Sequence, residues 1–305
     1  MSLRPVPRGA GHIISCMITS QNVTRKIREI GHSLYLELWP NTGSTVVLFY
    51  PGSLSSPWQY RSFLRALHTA GLSVAALHLT GHGINCHAAS FSFSDLLQDG
   101  LYAERWLRYE GYAPIVVCGH SQGGILTLAH ASSSTTIDAA FPITGVLPQT
   151  AEAIKLTRFF PLIQQRQALE RCIASLARLF PRLPIPIQAY LSMRKILAAA
   201  HETVCHRQRI RLTYPLIFLD SLFRAEVSPK LNCPLYFFSA PDDALFTPDI
   251  ILRTYSRLEA PLRKLVWLPK GGHLAVMNPS ISCFTAETIA CACANMGLTL
   301  HRRKL

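Results

Sequence analysis

The chain has 305 residues, 49% hydrophobic and 15% charged, and its 30 Lys and Arg against 17 Asp and Glu give a formal charge of +13. Such a composition excludes a disordered chain and supplies a sizeable core. Mean hydropathy is +0.21, yet no uninterrupted apolar run reaches the ~18–20 residues that cross a bilayer. The nine cysteines are scattered, with no CxxC pair. This argues against a zinc ribbon or redox motif and for free thiols in a reducing, cytoplasmic compartment.

Residues 1–32 read as an N-terminal extension. Arg4 and Arg8 precede "HIISCMI", which is short and lacks a cleavage site, so a signal peptide is not expected. Short apolar runs then read as buried strands: "LYLELW" (34–39), "TVVLFY" (45–50), "SVAALHL" (73–79), "PIVVCG" (114–119), "DAAFPITGV" (138–146), "PLYFFS" (234–239) and "KLVWLP" (264–269). Helix-like stretches at 57–70, 92–110, 122–132, 250–259 and 283–296 lie between or after them. The alternation predicts an α/β fold: a mostly parallel central sheet with helices on both faces. Ligands in such folds bind at the carboxyl ends of the strands. No internal repeat or low-complexity tract is present.

Residues 147–230 break the alternation. They are amphipathic, Arg-rich and helix-like, with prolines at 148, 161, 181, 184, 186, 215 and 229. Pro181, Pro184 and Pro186 are expected to separate two helices. The segment reads as a helical cap inserted between core segments 33–146 and 231–305. Residues 151–230 hold 13 Lys and Arg against five Asp and Glu, and the tail His301-Arg302-Arg303-Lys304 adds more positive charge. No nucleic-acid motif accompanies the charge, so no nucleic-acid partner is expected. A solvated basic face, peripheral contact with an anionic membrane and an acidic substrate are the readings it leaves open.

The chemistry centres on "VVCGHSQGGIL" (116–126). Gly119-x-Ser121-x-Gly123 follows a predicted strand and opens a predicted helix, the context of a nucleophile elbow. The serine there has a strained backbone, and side chains two residues to either side would collide. A serine hydroxyl needs a base, and His273 in "LPKGGHLAV" follows the last predicted strand. The imidazole needs an acid to fix its tautomer, and "FFSAPDDALF" offers Asp242 and Asp243. The order Ser, Asp, His is the one expected for this fold. No cluster has metal-ligand spacing, and neither a P-loop nor a GxGxxG pattern occurs, so no metal or cofactor is expected.

With these motifs the sequence resembles the α/β-hydrolase superfamily, and within it lysophospholipase and monoacylglycerol-lipase-like serine hydrolases. The resemblance runs from about residue 33 to 296. "LFYPGSLSSPWQY" is similar to the early loop that usually reads His-Gly-x, with Pro51-Gly52 in its place. "HLTGHGIN" is similar to Asp-x-x-Gly-His-Gly-x-Ser, with His78 and Asn85 substituted. "SDLLQDGLYAERWL" is similar to the helix preceding the nucleophile strand. The resemblance implies that the backbone N–H groups of Ser53 and Gln122 are oxyanion donors. The family's Gly-x-x-Asp becomes Ala240-Pro241-Asp242-Asp243; that register makes Asp243 the acid, with Asp242 the alternative. His82 and His120 match positions where the family tolerates histidine without using it in proton transfer.

The expected activity is cleavage of a carboxylic or lipid ester through Ser121, His273 and Asp243 with an acyl-enzyme, the insertion lining an apolar acyl pocket. The alternatives are a thioesterase, acyltransferase or aminopeptidase on the same residues, or a non-catalytic binding protein on a hydrolase scaffold.

Overall fold

The computed structural model describes residues 25–31, 33–42, 45–191 and 213–298. The expectations placed on Arg4, Arg8 and the tail 301–304, two of the nine cysteines (Cys16 and Cys205), and part of the basic charge counted over 151–230 lie outside those residues.

Strands β1 (Lys26–Glu29), β2 (Tyr35–Trp39), β3 (Val46–Tyr50), β4 (Ser73–His78), β5 (Ile115–His120), β6 (Ala139–Ile143), β9 (Leu235–Ser239) and β10 (Arg263–Trp267) form one sheet in the order β1-β2-β4-β3-β5-β6-β9-β10. From β4 to β10 every neighbouring pair is parallel; β2 is antiparallel to both β1 and β4. The sheet therefore begins inside the residues read as an N-terminal extension, and the boundary at 32 is corrected to lie before Lys26. Sequence gives this strand no signal, because "KIRE" is a short charged edge strand with no apolar run to mark it.

Because side chains alternate along a strand, each buried strand feeds two cores. Val46, Leu48 and Tyr50 of β3 enter the core on one face of the sheet, and Val47 and Phe49 the core on the other. The first core is closed by α2 (Phe93–Tyr109), α3 (Gln122–Ser133) and α8 (Pro248–Arg257), through Leu96, Trp106, Leu126 and Ile251. The second is closed by α1 (Arg61–Thr69) and α9 (Pro279–Asn295), through Phe63, Leu67, Ile289 and Cys293. A reciprocal cap starts α2: Ser92 Oγ accepts the Asp95 N–H at 3.2 Å, and Asp95 accepts the Ser92 N–H at 2.7 Å.

The described residues of the insertion contain α4 (Ala151–Lys155), α5 (Arg166–Leu179), α6 (Ile187–Tyr190) and α7 (Leu216–Phe223). The insertion is not purely helical. β7 (Pro184–Pro186) and β8 (Thr213–Pro215) pair antiparallel, so Pro184 and Pro186, expected only as helix separators, are themselves strand residues. Ile173, Ala177 and Leu216 form a small core of its own. Arg166, one of the arginines counted in the basic charge of this segment, is tied inward: its guanidinium donates to the carbonyls of Pro148, Gln149, Thr150 and Phe223 and to Glu170.

Asp99 of α2 fastens the end of β4, accepting the Thr80 N–H at 2.7 Å and the Thr80 hydroxyl at 3.2 Å. Burial pushes its carboxyl up to about 7, against the opposing pull of the Thr80 bonds. A folded-state value above the unfolded one makes the group's contribution full at low pH and lost as pH rises toward 7. Asparagine can keep both Thr80 contacts without a charge. The melting temperature of Asp99→Asn relative to wild type should therefore increase between pH 5 and pH 8, measured by thermal denaturation. A difference that does not change with pH would show that burial leaves Asp99 unperturbed.

Candidate active site

Four parallel strands end at one edge of the sheet and deliver four loops there. β3 leads into residues 51–55, β5 into Ser121, β9 into Asp242 and Asp243, and β10 into the loop carrying His273.

At the end of β5 the chain turns directly into α3, and Ser121 takes φ +58° and ψ −116°. A non-glycine residue there is strained, at a cost of order 1–3 kcal/mol. Its N–H is held by the Ile143 carbonyl at 2.9 Å and Thr144 Oγ1 at 3.2 Å. A Cβ on Gly119 would overlap the Gly123 carbonyl, and one on Gly123 would overlap the Tyr50 carbonyl. The glycine spacing in the sequence anticipates both collisions. It does not anticipate the contact at Gly124, where a Cβ would overlap the Thr144 carbonyl oxygen.

The structure brings Ser121, His273 and Asp243 together. His273 Nδ1 lies 2.9 Å from Asp243 Oδ2, and His273 Nε2 lies 3.0 Å from Ser121 Oγ. A carboxylate only accepts, so Nδ1 carries the proton and Nε2 is free to accept the Ser121 hydroxyl. Burial alone would raise the Asp243 carboxyl; the hydrogen bond and charge of His273, with the N–H groups of Phe246 and Leu245, outweigh it and hold the group below its usual value. Asp242 points elsewhere, accepting the N–H groups of Gly271 and Gly272 at 3.0 and 3.1 Å. The two carboxylates thus divide the work: one faces the imidazole and the other fixes the loop that carries it.

His273 is gripped on other sides too. Phe246 stacks on its ring with centroids 5.3 Å apart and planes within 5°. His120 Nε2–H donates to the His273 carbonyl at 2.8 Å. That leaves His120 Nδ1 to accept the Tyr60 hydroxyl at 2.8 Å, and Tyr60 Oη in turn accepts the Gly52 N–H at 3.0 Å. Burial, followed by the neighbouring His273, pushes His120 down to about 3, while burial pushes Tyr60 up to about 12. Both stay neutral, so the chain from residue 52 to residue 273 keeps fixed proton positions. His120 is a buried strut, and Tyr60 was given no role from sequence because nothing marks its pairing with a residue 60 positions on.

Gln122 opens α3, and Ser53 lies in the facing loop; Ser53 Oγ is 3.0 Å from Gln122 Oε1. The turn 52–55 closes with Ser55 N–H donating to the Gly52 carbonyl at 3.2 Å. Leu54 within it has φ +61°. The substituted positions of the next loop are also structural: Asn85 donates to the His78 carbonyl, and His78 Nε2 lies 3.4 Å from buried Glu37. Among the described residues, no group of three or more His, Cys, Asp or Glu is placed to hold a metal ion, and no helix is long and apolar enough to cross a membrane.

Ser121 lines a pocket that opens to solvent. Its wall is almost wholly apolar and drawn from both core and insertion, including Ile125, Leu156, Tyr190, Phe218, Leu222 and Phe246.

This arrangement of sheet, elbow and facing loops has counterparts in known proteins. A profile of the alpha/beta hydrolase family matches residues 46–280, and the chain belongs to that family. The monoacylglycerol lipase of Paleococcus ferrophilus superposes with a TM-score of 0.65 at 15% identity, over 86% of this chain and 99% of that one. A soluble variant of monoglyceride lipase from Saccharomyces cerevisiae, in complex with a substrate analog, gives 0.64 at 12% identity, over 96% and 99%. Alpha/beta hydrolase domain-containing protein 10 from mouse gives 0.61 at 14% identity, over 94% and 100%. At these identities the likeness is one of fold.

Gly124→Ala should cost roughly 3 kcal/mol or more, because two backbone segments must move apart to admit one methyl group. Chemical denaturation, or loss of soluble protein, would register it. A variant of wild-type stability would mean that α3 and the Thr144 turn are not packed this closely.

Proposed function

We propose that the protein is a serine hydrolase that cleaves a lipid ester or other apolar carboxylic ester through an acyl-enzyme. The observation that carries this reading is the hydrogen-bonded run Asp243–His273–Ser121 beside a mostly apolar pocket that Ser121 lines. Ser121 Oγ attacks the ester carbonyl while its proton passes to His273 Nε2. Asp243 holds the Nδ1–H tautomer and stabilises the imidazolium. The N–H groups of Ser53 and Gln122 receive the oxyanion, an effect worth about 3 kcal/mol per donor. The imidazolium protonates the departing alcohol. Water, deprotonated by the same imidazole, then releases the acid and restores the Ser121 hydroxyl.

The cavity wall supports an acyl chain rather than a polar acid, since burying each methylene contributes roughly 0.8 kcal/mol. Turnover on p-nitrophenyl esters should therefore favour chains long enough to enter it over acetate. The described cysteines carry free thiols, which supports a reducing, cytoplasmic setting.

The outer face of the insertion supports contact with an anionic lipid surface. Arg171, Arg178 and Arg182 are exposed there beside Leu176, Leu183, Leu179, which is 72% exposed, and Phe180, which is 56% exposed. Cations draw the face to the surface, and the apolar side chains enter it.

Ser121→Ala should lower ester turnover at least ~10³-fold with the fold intact. Asp243→Asn should lower it by up to ~10⁴-fold through the wrong imidazole tautomer, and Asp242→Asn far less. An Asp242 variant that is the more impaired would transfer the acid's role to that residue. A wild-type protein inert toward esters but active on acyl-thioesters or aminoacyl anilides would change the substrate class. Inertness toward all three would favour a binding protein.

Reversing Arg171, Arg178 and Arg182 to Glu should lower sedimentation with anionic vesicles and leave short-chain ester turnover unchanged. Wild-type binding should weaken with salt without vanishing, because the leucines and Phe180 are not screened. Unchanged vesicle binding by the reversed protein would make this face a solvated surface.

A further inference from the structure

Tyr214, the central residue of β8, belongs to the insertion by sequence but is buried in the main core. Its ring packs against that of Phe218 of α7, with centroids 4.3 Å apart and planes tilted by 31°. Its hydroxyl reaches three separate core segments. It accepts the N–H of Leu54 at 2.8 Å, lies 2.7 Å from the Gln122 side-chain amide, and lies 2.8 Å from His82 Nε2. Leu54 follows Ser53, and Gln122 follows Ser121, so one hydroxyl bonds beside both N–H groups assigned to the oxyanion.

The protons fit these contacts. His82 Nδ1 is 3.0 Å from the Thr80 carbonyl, which only accepts. A neutral His82 therefore carries its proton on Nδ1 and accepts the Tyr214 proton at Nε2. The lone pairs of Tyr214 then serve the Leu54 N–H and, after a half-turn of the Gln122 amide, its NH₂ group. That half-turn puts the Gln122 nitrogen within reach of two acceptors, Tyr214 and Ser53, and moves its carbonyl oxygen to the position that has no hydrogen-bond partner.

The Leu54 backbone makes the bond consequential. A leucine at φ +61° is strained, and such a conformation persists only where its surroundings fix it. The Ser55 N–H closes the turn from one side, and Tyr214 holds the Leu54 N–H from the other. Without the hydroxyl, the peptide carrying the Ser53 N–H is freer to rotate out of line.

We propose that Tyr214 is a positioning residue through which the insertion organises the oxyanion donors. This rests on the reading of the protein as a serine hydrolase. It goes beyond that reading by giving the insertion a role in the chemical step as well as in lining the cavity.

The test is Tyr214→Phe, which removes one oxygen and keeps the ring packing. Competent sites are counted by fluorophosphonate titration, and rates are expressed per titrated site. With a short soluble ester, kcat should fall about 10- to 100-fold, less than for loss of a whole donor, while KM moves by no more than about threefold. The inhibition constant of an alkyl trifluoromethyl ketone, whose adduct carries the oxyanion, should weaken by a similar factor; a loss of stability alone would not move it. In a Leu54→Gly background, where φ +61° is unstrained, the same change should cost less.

Wild-type kcat and inhibitor affinity in Tyr214→Phe would overturn the proposal. So would a loss confined to KM, or an undiminished loss in the Leu54→Gly background. Failure of the wild-type protein to hydrolyse esters or bind the ketone would instead sink the hydrolase reading itself.

Discussion

The site depends on a serine held where serines rarely sit. Ser121 at φ +58° leaves the sheet and starts a helix within one residue, which turns its hydroxyl out over the strand ends. The turn is possible only because backbone crosses backbone at three glycines. Tyr50, Thr144 and Gly123 each place a carbonyl where a Cβ would otherwise be. The same contacts set β3 and β6 against the start of α3. The hydroxyl's position is thus fixed by the packing of the central sheet.

Around that point two hydrogen-bonded chains converge on the 51–55 loop. One runs from Gly52 through Tyr60 and His120 to the backbone of His273. The other runs from Leu54 through Tyr214 to His82 and Gln122. Both run through buried groups, so water does not compete for their hydrogen bonds. The first chain lies wholly within the core. The second begins in the insertion, and so the insertion's placement bears on the loop as well as on the cavity.

Much of this was legible in the sequence. The parallel strands are continuous apolar runs because helices cover both faces. The elbow is legible because its glycines are demanded by backbone contact. The register placing Asp243 rather than Asp242 at the imidazole was readable from family spacing, and the structure puts Asp243 Oδ2 at 2.9 Å. What escaped had no local signature. Lys26–Glu29 is a charged edge strand that looks like a tail. Arg166 is an arginine whose partners are carbonyls, and carbonyls are invisible to composition. Tyr60 and Tyr214 act across 60 and 92 positions, on histidine and glutamine that carry no mark of the pairing in sequence.

The proposed role of Ser121 is that of nucleophile in an ester hydrolase. It is tested most directly by treating the folded protein with a fluorophosphonate, digesting it and locating the adduct by mass spectrometry. One equivalent of phosphonyl group is expected on Ser121, and none after prior incubation with an alkyl trifluoromethyl ketone. A folded chain that carries no adduct, or carries it on another residue, would rule Ser121 out as the nucleophile.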